Sequence, residues 1–177
     1  MEEALKAYLV TLQPPGMTDT AAQGSLEELR GLVQTLGMVP VGEVCVRHRQ
    51  SHPRHLVGTG KTQELAAEAE ELGADVIVFD DDLSPSQQRN WETDTGQTVI
   101  DRQEVILEIF SERAHTREAV LQVALARLQY SLPRLARSYG SLSRQRGGAK
   151  GNRGSGEMQL EVGKIKIIHV HKDLAVA

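Results

Sequence analysis

The feature that most constrains this chain is an alternation: over its first 113 residues, short β-branched runs and amphipathic helical segments follow one another four times. Tyr8–Leu12 is a β-prone run that ends at Pro14-Pro15-Gly16. Ser25 and Glu28 have capping-box spacing, which predicts a helix opening at Ser25, because each side chain can satisfy the other's exposed backbone amide. Leu26, Leu29, Leu32, Val33 and Leu36 share one face of that helix, and Gly37 supplies a left-handed stop. Val39–Val46 reads as the second strand. An irregular, basic stretch follows from His48 to His55, with Leu56-Val57 as a short extended piece. Lys61–Leu72 is helical in composition, with Leu65, Ala69 and Leu72 aligned and Gly73 as its stop. Val76–Phe79 is apolar at every position, as a strand covered on both faces must be. Ser84-Pro85-Ser86-Gln87 joins a capping box to a proline in the first turn. Thr98–Ile100 is another buried strand, and Asp101 with Glu104 opens a helix whose inner face is Val105, Ile106, Ile109 and Phe110. Strands linked through helices by connections this short lie parallel. The expected class is α/β: a small, mainly parallel four-stranded sheet flanked by helices.

From Thr116 the pattern changes. Leu121, Leu125, Leu128, Leu132, Leu135 and Tyr139 are spaced as the apolar seam of a coiled coil. As a helix, Arg117–Tyr139 would extend roughly 34 Å, with Pro133 inside it removing one backbone donor. A seam needs a partner, and the economical one is a returning helix that begins near Glu157. The sequence therefore divides into an α/β subdomain over 1–114 and a helical-hairpin, coiled-coil-like arm with a Gly/Arg-rich tip over 115–162. An atypical tail occupies 163–177, where Gly163 and the β-branched run Ile165–His171 do not read as helix. The seam from Leu121 to Tyr139 could instead pair with another copy of the chain.

The tip is the most distinctive stretch. Between Ser143 and Glu161 stand Gly147, Gly148, Gly151, Gly154 and Gly156, interleaved with Arg144, Arg146, Lys150 and Arg153, and no acid precedes Glu157. Glycine at this density does not hold one backbone conformation unaided. It lets the chain lie close to a phosphate backbone while the guanidinium groups pair with phosphate oxygens. Arg113–Glu157 carries nine Lys/Arg against two acids, whereas the rest of the chain carries 11 against 22. An overall charge of −4 thus conceals a basic projection on an acidic body, and folded RNA is the expected partner. The three tyrosines, two phenylalanines and one tryptophan are too few for a base-stacking platform of the RRM or OB type. No apolar run is long enough to span a membrane and no signal peptide is evident, so a cytoplasmic location is expected. Cys45 is the sole cysteine, which excludes an intrachain disulfide.

Motifs for catalysis are sparse. Gly58-Thr59-Gly60-Lys61-Thr62 resembles the end of a phosphate-binding loop, but His55 occupies the position where the Walker A pattern has its first glycine. Gly58, Gly60 and Lys61 are nevertheless candidates for holding a nucleotide or other anion at a helix start, and ATP is the ligand to consider. Asp80, Asp81 and Asp82 follow a strand, where Mg²⁺ could bind, although carboxylates that cap and solvate a turn before Ser84-Pro85 account for them better. His169 and His171 lack a third ligand nearby, and His48, His52 and His55 read as loop residues. No catalytic residues and no metal site are assigned.

Several blocks, taken together, resemble the HflX family of ribosome-associated GTPases over about Tyr8–Glu161: Leu56–Lys61, Val76–Asn90, Val99–Phe110, Ala114–Leu135 and Ser141–Glu161. Ser155 and Met158 stand where the family has proline and threonine. The resemblance implies an α/β subdomain and a helical hairpin whose tip contacts the rRNA of the large ribosomal subunit near the peptidyl-transferase region. It also implies a role in splitting or rescuing stalled ribosomes. Arg144, Gly147, Gly148, Gly151, Arg153, Gly154, Gly156 and Glu157 are the tip residues carried over. The GTP and Mg²⁺ of the family belong to a GTPase domain whose motifs are absent from these 177 residues, so GTP hydrolysis is not expected of this chain. Adenine-nucleotide binding has also been linked with this domain of the family.

Overall fold

A computed structural model describes residues 4–48 and 50–144, with side chains through Arg134. Met1–Ser138 form one compact unit. Its elements run β1 (Lys6–Gln13), α1 (Asp19–Thr35), β2 (Val39–Arg47), α2 (Thr59–Glu71), β3 (Val76–Phe79), α3 (Pro85–Thr95), β4 (Thr98–Asp101), α4 (Arg102–Arg113) and α5 (Arg117–Arg144). The four strands make one sheet in the order β2-β1-β3-β4, and every pairing is parallel.

β1 and β3 are the two inner strands, each paired on both sides, and the residues of β1 from Ala7 to Gln13 are all buried. Side chains alternate across a strand, so each strand feeds two cores. Tyr8, Val10, Leu12, Ile77, Phe79 and Val99 face one way and meet Leu65 and Ala69 of α2 and Trp91 of α3. Ala7, Leu9, Val76, Val78 and Ile100 face the other way and meet Leu26, Leu29 and Val33 of α1 and Val105 and Ile109 of α4. The sheet is therefore wound on both faces.

Local chemistry explains most boundaries. Ser84 and Gln87 form the expected capping box at α3, and Asp101 accepts the Glu104 N–H at 3.0 Å to start α4. Gly37, Gly73 and Gly96 stop helices at positive φ. At Gly42 a Cβ would stand 2.5 Å from Leu72 Cδ1 and 2.8 Å from Tyr8 Cδ2, so no larger residue fits without displacing them. It lies just past an irregularity where Ala7 pairs with Pro40 but Tyr8 with Gly42. Leu56 is the non-glycine at φ 70. Its side chain is buried while its backbone exchanges hydrogen bonds with His52 at 2.8 and 2.9 Å, so core burial and the turn offset the steric cost.

Two expectations need correction. α1 begins at Asp19, six residues before Ser25, because Thr18 Oγ1 caps it by accepting the Ala21 N–H at 3.1 Å. Ser25 instead donates its hydroxyl to Asp80 at 2.7 Å. Phe110 and Leu72 do not join the core: they are 58% and 42% exposed, near the ends of their helices, although the Leu72 side chain still lies over Gly42. His55 lies in the turn at 53–55, a loop residue as expected, and its side chain is fully buried, with Nε2 2.7 Å from Asp94 Oδ2 and its carbonyl accepting the Trp91 indole N–H at 2.6 Å.

Candidate nucleic-acid interface and the sites around it

α5 runs as one helix through Pro133 and ends at Arg144, the first of the predicted RNA-contacting residues. Arg146, Gly147, Gly148, Lys150, Gly151, Arg153, Gly154, Gly156 and Glu157 lie outside the described residues. So do the predicted return arm and His169 and His171. What the structure defines is how the body holds the helix leading to the tip.

That attachment is polar. Asp101 closes β4 with its side chain almost wholly buried, and each carboxylate oxygen accepts two hydrogen bonds. Oδ1 takes the Glu104 N–H at 3.0 Å and the Tyr130 hydroxyl at 2.9 Å; Oδ2 takes the Leu83 N–H at 3.1 Å and Arg134 at 3.3 Å. Arg134 also donates to the Leu83 carbonyl at 2.8 Å and Gln88 Oε1 at 2.9 Å, while its guanidinium carbon sits 3.5 Å from the centre of the Tyr130 ring. One turn or two earlier, Arg127 reaches Glu108 at 2.5 Å and Ser111 at 2.9 Å. Contacts from later α5 residues to earlier α4 residues show that the two helices run antiparallel. Burial and the nearby carboxylates of Glu104 and Asp101 push the Tyr130 phenol far up, so it remains a donor at any ordinary pH. No local pattern joins these residues, which are separated by 29 and 33 positions; the sole hint was an acid directly following a buried strand.

Among the described residues nothing covers the opposite face of α5. Leu121, Leu125, Leu128 and Leu132 are 51–61% exposed, and the flanking Gln122, Ala124 and Gln129 are exposed as well.

The turn at Gly58–Lys61 does open a helix. Gly58 is the N-cap of α2 with no side-chain cap, and Gly60 and Lys61 lie in the first turn. An opening of about 460 Å³ lies beside it, lined by Cys45, Val46, Arg47, His48, Val57, Gly58 and Lys61. Its cations already have partners: Lys61 reaches Glu64 at 2.6 Å, and Arg47 reaches both Asp19 oxygens at 2.7 and 2.9 Å. Hydrogen bonds from Gln13 and Arg47 hold the Asp19 carboxyl below its usual range. Burial pushes the Cys45 thiol up, away from thiolate chemistry.

In open parallel sheets the crevice at the carboxyl ends, where strand order reverses, is the usual ligand site, here between β1 and β3. This chain fills it with its own side chains. Asp80 accepts from Ser25 and, at 3.0 Å, from Arg102, which also reaches Glu28 at 2.8 Å. Asp81 accepts the Leu12 N–H at 3.2 Å beyond the end of β3, and burial raises its carboxyl pKa despite that bond. Asp82 accepts from Gln103 at 3.1 Å. The three carboxylates thus have separate structural tasks, and among the described residues no group of three His, Cys, Asp or Glu could hold a metal. Among those residues, too, no helix is long and apolar enough to cross a membrane.

A doubly wound parallel body, followed by a long helix leading to a Gly/Arg-rich stretch, matches the front part of a class of GTP-binding proteins. Residues 23–111 match the family described as GTP-binding GTPase N-terminal, and residues 113–175 the one described as GTP-binding GTPase middle region. Relatives named GTPase HflX share 52% identity over 106 residues in Akkermansia muciniphila, 42% over 123 in Thermofilum pendens and 39% over 127 in Escherichia coli K12. These alignments cover 60%, 70% and 72% of this chain but 24%, 28% and 28% of the respective relatives. The chain belongs to the HflX family of GTP-binding proteins, matching its N-terminal and middle regions. It spans about a quarter of the length of these relatives. The fold is similar to that in the crystal structure of a GTP-binding protein from the hyperthermophilic archaeon Sulfolobus solfataricus in complex with GDP, with a TM-score of 0.57 at 22% identity. That likeness covers 93% of this chain and 46% of the other.

Proposed function

We propose that this chain is a ribosome-docking region, which binds the rRNA of the large subunit through Arg144, Arg146, Lys150 and Arg153, with the glycines at 147, 148, 151, 154 and 156 allowing close approach to the phosphates. It works in the cytoplasm and has no catalytic role of its own; splitting or rescue of stalled ribosomes is the task it serves in HflX proteins. The observation that carries this reading is the charge division: Arg113–Glu157 has nine Lys/Arg and two acids, and the remainder 11 and 22. An acidic body is repelled by RNA, so orientation favours the basic segment. Co-sedimentation with large subunits across a salt series tests it. Binding should weaken steeply with salt, and changing Arg144, Arg146 and Arg153 to Glu should abolish it. Unaltered sedimentation of that triple variant would overturn the assignment of the tip.

A second reading has the opening beside Gly58, Gly60 and Lys61 in its favour: a phosphate-bearing ligand such as ATP at the start of α2. Isothermal titration with Mg-ATP addresses it directly, and no heat at high protein concentration removes it.

A further inference from the structure

We propose, building on the docking reading above, that Arg134 is a positioning residue for RNA binding: acting through Asp101, it fixes α5 on the body and contacts no phosphate itself. Its guanidinium is turned inward. Nε donates to Gln88 Oε1 at 2.9 Å, Nη1 to the Tyr130 carbonyl at 2.9 Å, and Nη2 to both the Leu83 carbonyl at 2.8 Å and Asp101 Oδ2 at 3.3 Å. A guanidinium has five N–H groups, so a single one is left, which cannot form the paired bonds that a phosphate takes from arginine. One face of the fork is closed as well, by the Tyr130 ring 3.5 Å away, and the side chain is 17% exposed.

The bonds go to separate parts of the body. Asp101 closes β4 and caps α4, Leu83 lies in the loop after β3, and Gln88 stands in α3, where its Nε2 also donates to the Val99 carbonyl at 2.7 Å. All three residues are buried, so the partners of Arg134 are themselves held by the core. Tyr130, one turn earlier, adds its hydroxyl to the same carboxylate at 2.9 Å. Two turns before Arg134, Arg127 repeats the pattern on Glu108 and Ser111. Arg144 stands in the same helix, ten positions after Arg134. A helix free to rock at its root must be ordered when its far end binds, and a root fixed in advance removes that cost. The charge of the basic segment is therefore not all docking charge: part of it holds the helix that carries the rest.

Co-sedimentation of the 177-residue chain with large subunits, read as log affinity against log salt at a temperature where circular dichroism shows each variant folded, tests the assignment. The slope counts the phosphates neutralised, whereas a positioning residue moves only the height of the line. Arg134→Gln should weaken binding about 10-fold, the factor expected when the correctly oriented helix falls to roughly a tenth of the population, with the slope unchanged. Arg134→Lys should fail to restore affinity, since an ammonium keeps the charge but not the fork. Tyr130→Phe, which removes one hydroxyl and leaves the ring, should act in the same direction and less. Arg144→Gln is the comparison and should lower the slope by about 1. Spin labels at Ala67→Cys in α2 and Gln129→Cys in α5, both exposed, with Cys45→Ala, read the hold on the helix with no ribosome present. Their distance distribution should broaden when Arg134→Gln is added. Full affinity in Arg134→Gln, a slope reduced by about 1, rescue by Arg134→Lys or an unbroadened label distance would each overturn the proposal. A wild type that does not bind large subunits overturns the docking reading instead, and the label distances still decide whether Arg134 fixes α5.

Discussion

α1 and α5 are both amphipathic helices laid on the same body, and they use their leucines in opposite ways. α1 turns Leu26, Leu29 and Val33 onto the sheet, where they are buried. Its outer side carries the exposed Glu27, Glu28 and Gln34, while Arg30 at the flank pairs with Glu43 of β2. α5 turns its charged and aromatic side inward, onto Asp101, Glu108 and Leu83, and leaves four leucines in solvent. The difference is one of mechanism. Apolar burial is non-directional and scales with area, so α1 is held strongly. α5 is held by hydrogen bonds of defined geometry converging on one carboxylate, which fixes register but contributes less. A helix attached in this manner has its direction set by the body and its apolar face left for something else.

The largest effect that contrast predicts is at α1. Leu29 is fully buried between helix and sheet, so Leu29→Ala should cost about 2–5 kcal/mol in chemical denaturation, the lost transfer energy plus the cavity it leaves. A cost below 1 kcal/mol would mean that α1 is not anchored as described.

Next in size is Arg134→Met, which keeps much of the side-chain stem but removes every donor. Asp101 and the Leu83 carbonyl each lose a partner, for about 1–3 kcal/mol. The change should be local. Hydrogen exchange across Val120–Arg134 should accelerate, while β1 amides keep their protection relative to the global stability. Equal acceleration in both would show that α5 is integral to the body's cooperative unit.

How much of this was legible beforehand follows the same division. The strands and the caps at Ser84 and Asp101 could be read because short-range chemistry decides them: β-branched runs, a side-chain oxygen three residues from an amide, glycine after a helix. Ser25 opens no helix because its hydroxyl goes to Asp80, 55 residues on, a contact that local spacing does not carry, and Thr18 caps α1 instead. α5 was read as a helix correctly, yet periodicity shows only that one face is apolar and not what it packs against. The polar anchorage has no periodic signature, since Asp101, Tyr130 and Arg134 converge only in three dimensions. The basic tip was visible as composition, and apart from Arg144 it lies outside the described residues.

A smaller effect with a definite sign is expected at Asp81, whose carboxylate is half-buried at the plugged crevice. Burial raises its pKa in the folded state, so the ionised form costs stability at neutral pH and protonation relieves that cost as pH falls through the raised value. Asp81→Asn keeps an oxygen for the Leu12 N–H without the charge. The variant should melt slightly higher than wild type at pH 7, by a few degrees at most, and the gap should close on acidification. A variant that melts lower at pH 7 would show that the carboxylate is needed as a charge, which is what a cation site there would require.

The smallest effect is the most informative about α5. Leu128 is 58% exposed, the same residue type as Leu29 on a helix of similar composition. Truncating it removes little buried surface from a single copy, so Leu128→Ala should change stability by less than about 0.5 kcal/mol when measured at high dilution. The comparison with Leu29→Ala then isolates environment from side-chain chemistry. A loss confined to high protein concentration would show a second copy covering the seam, because mass action then adds association energy to the wild type alone. A loss of more than 1 kcal/mol at every dilution would place Leu128 against the chain's own residues, and the opposition between α1 and α5 would vanish.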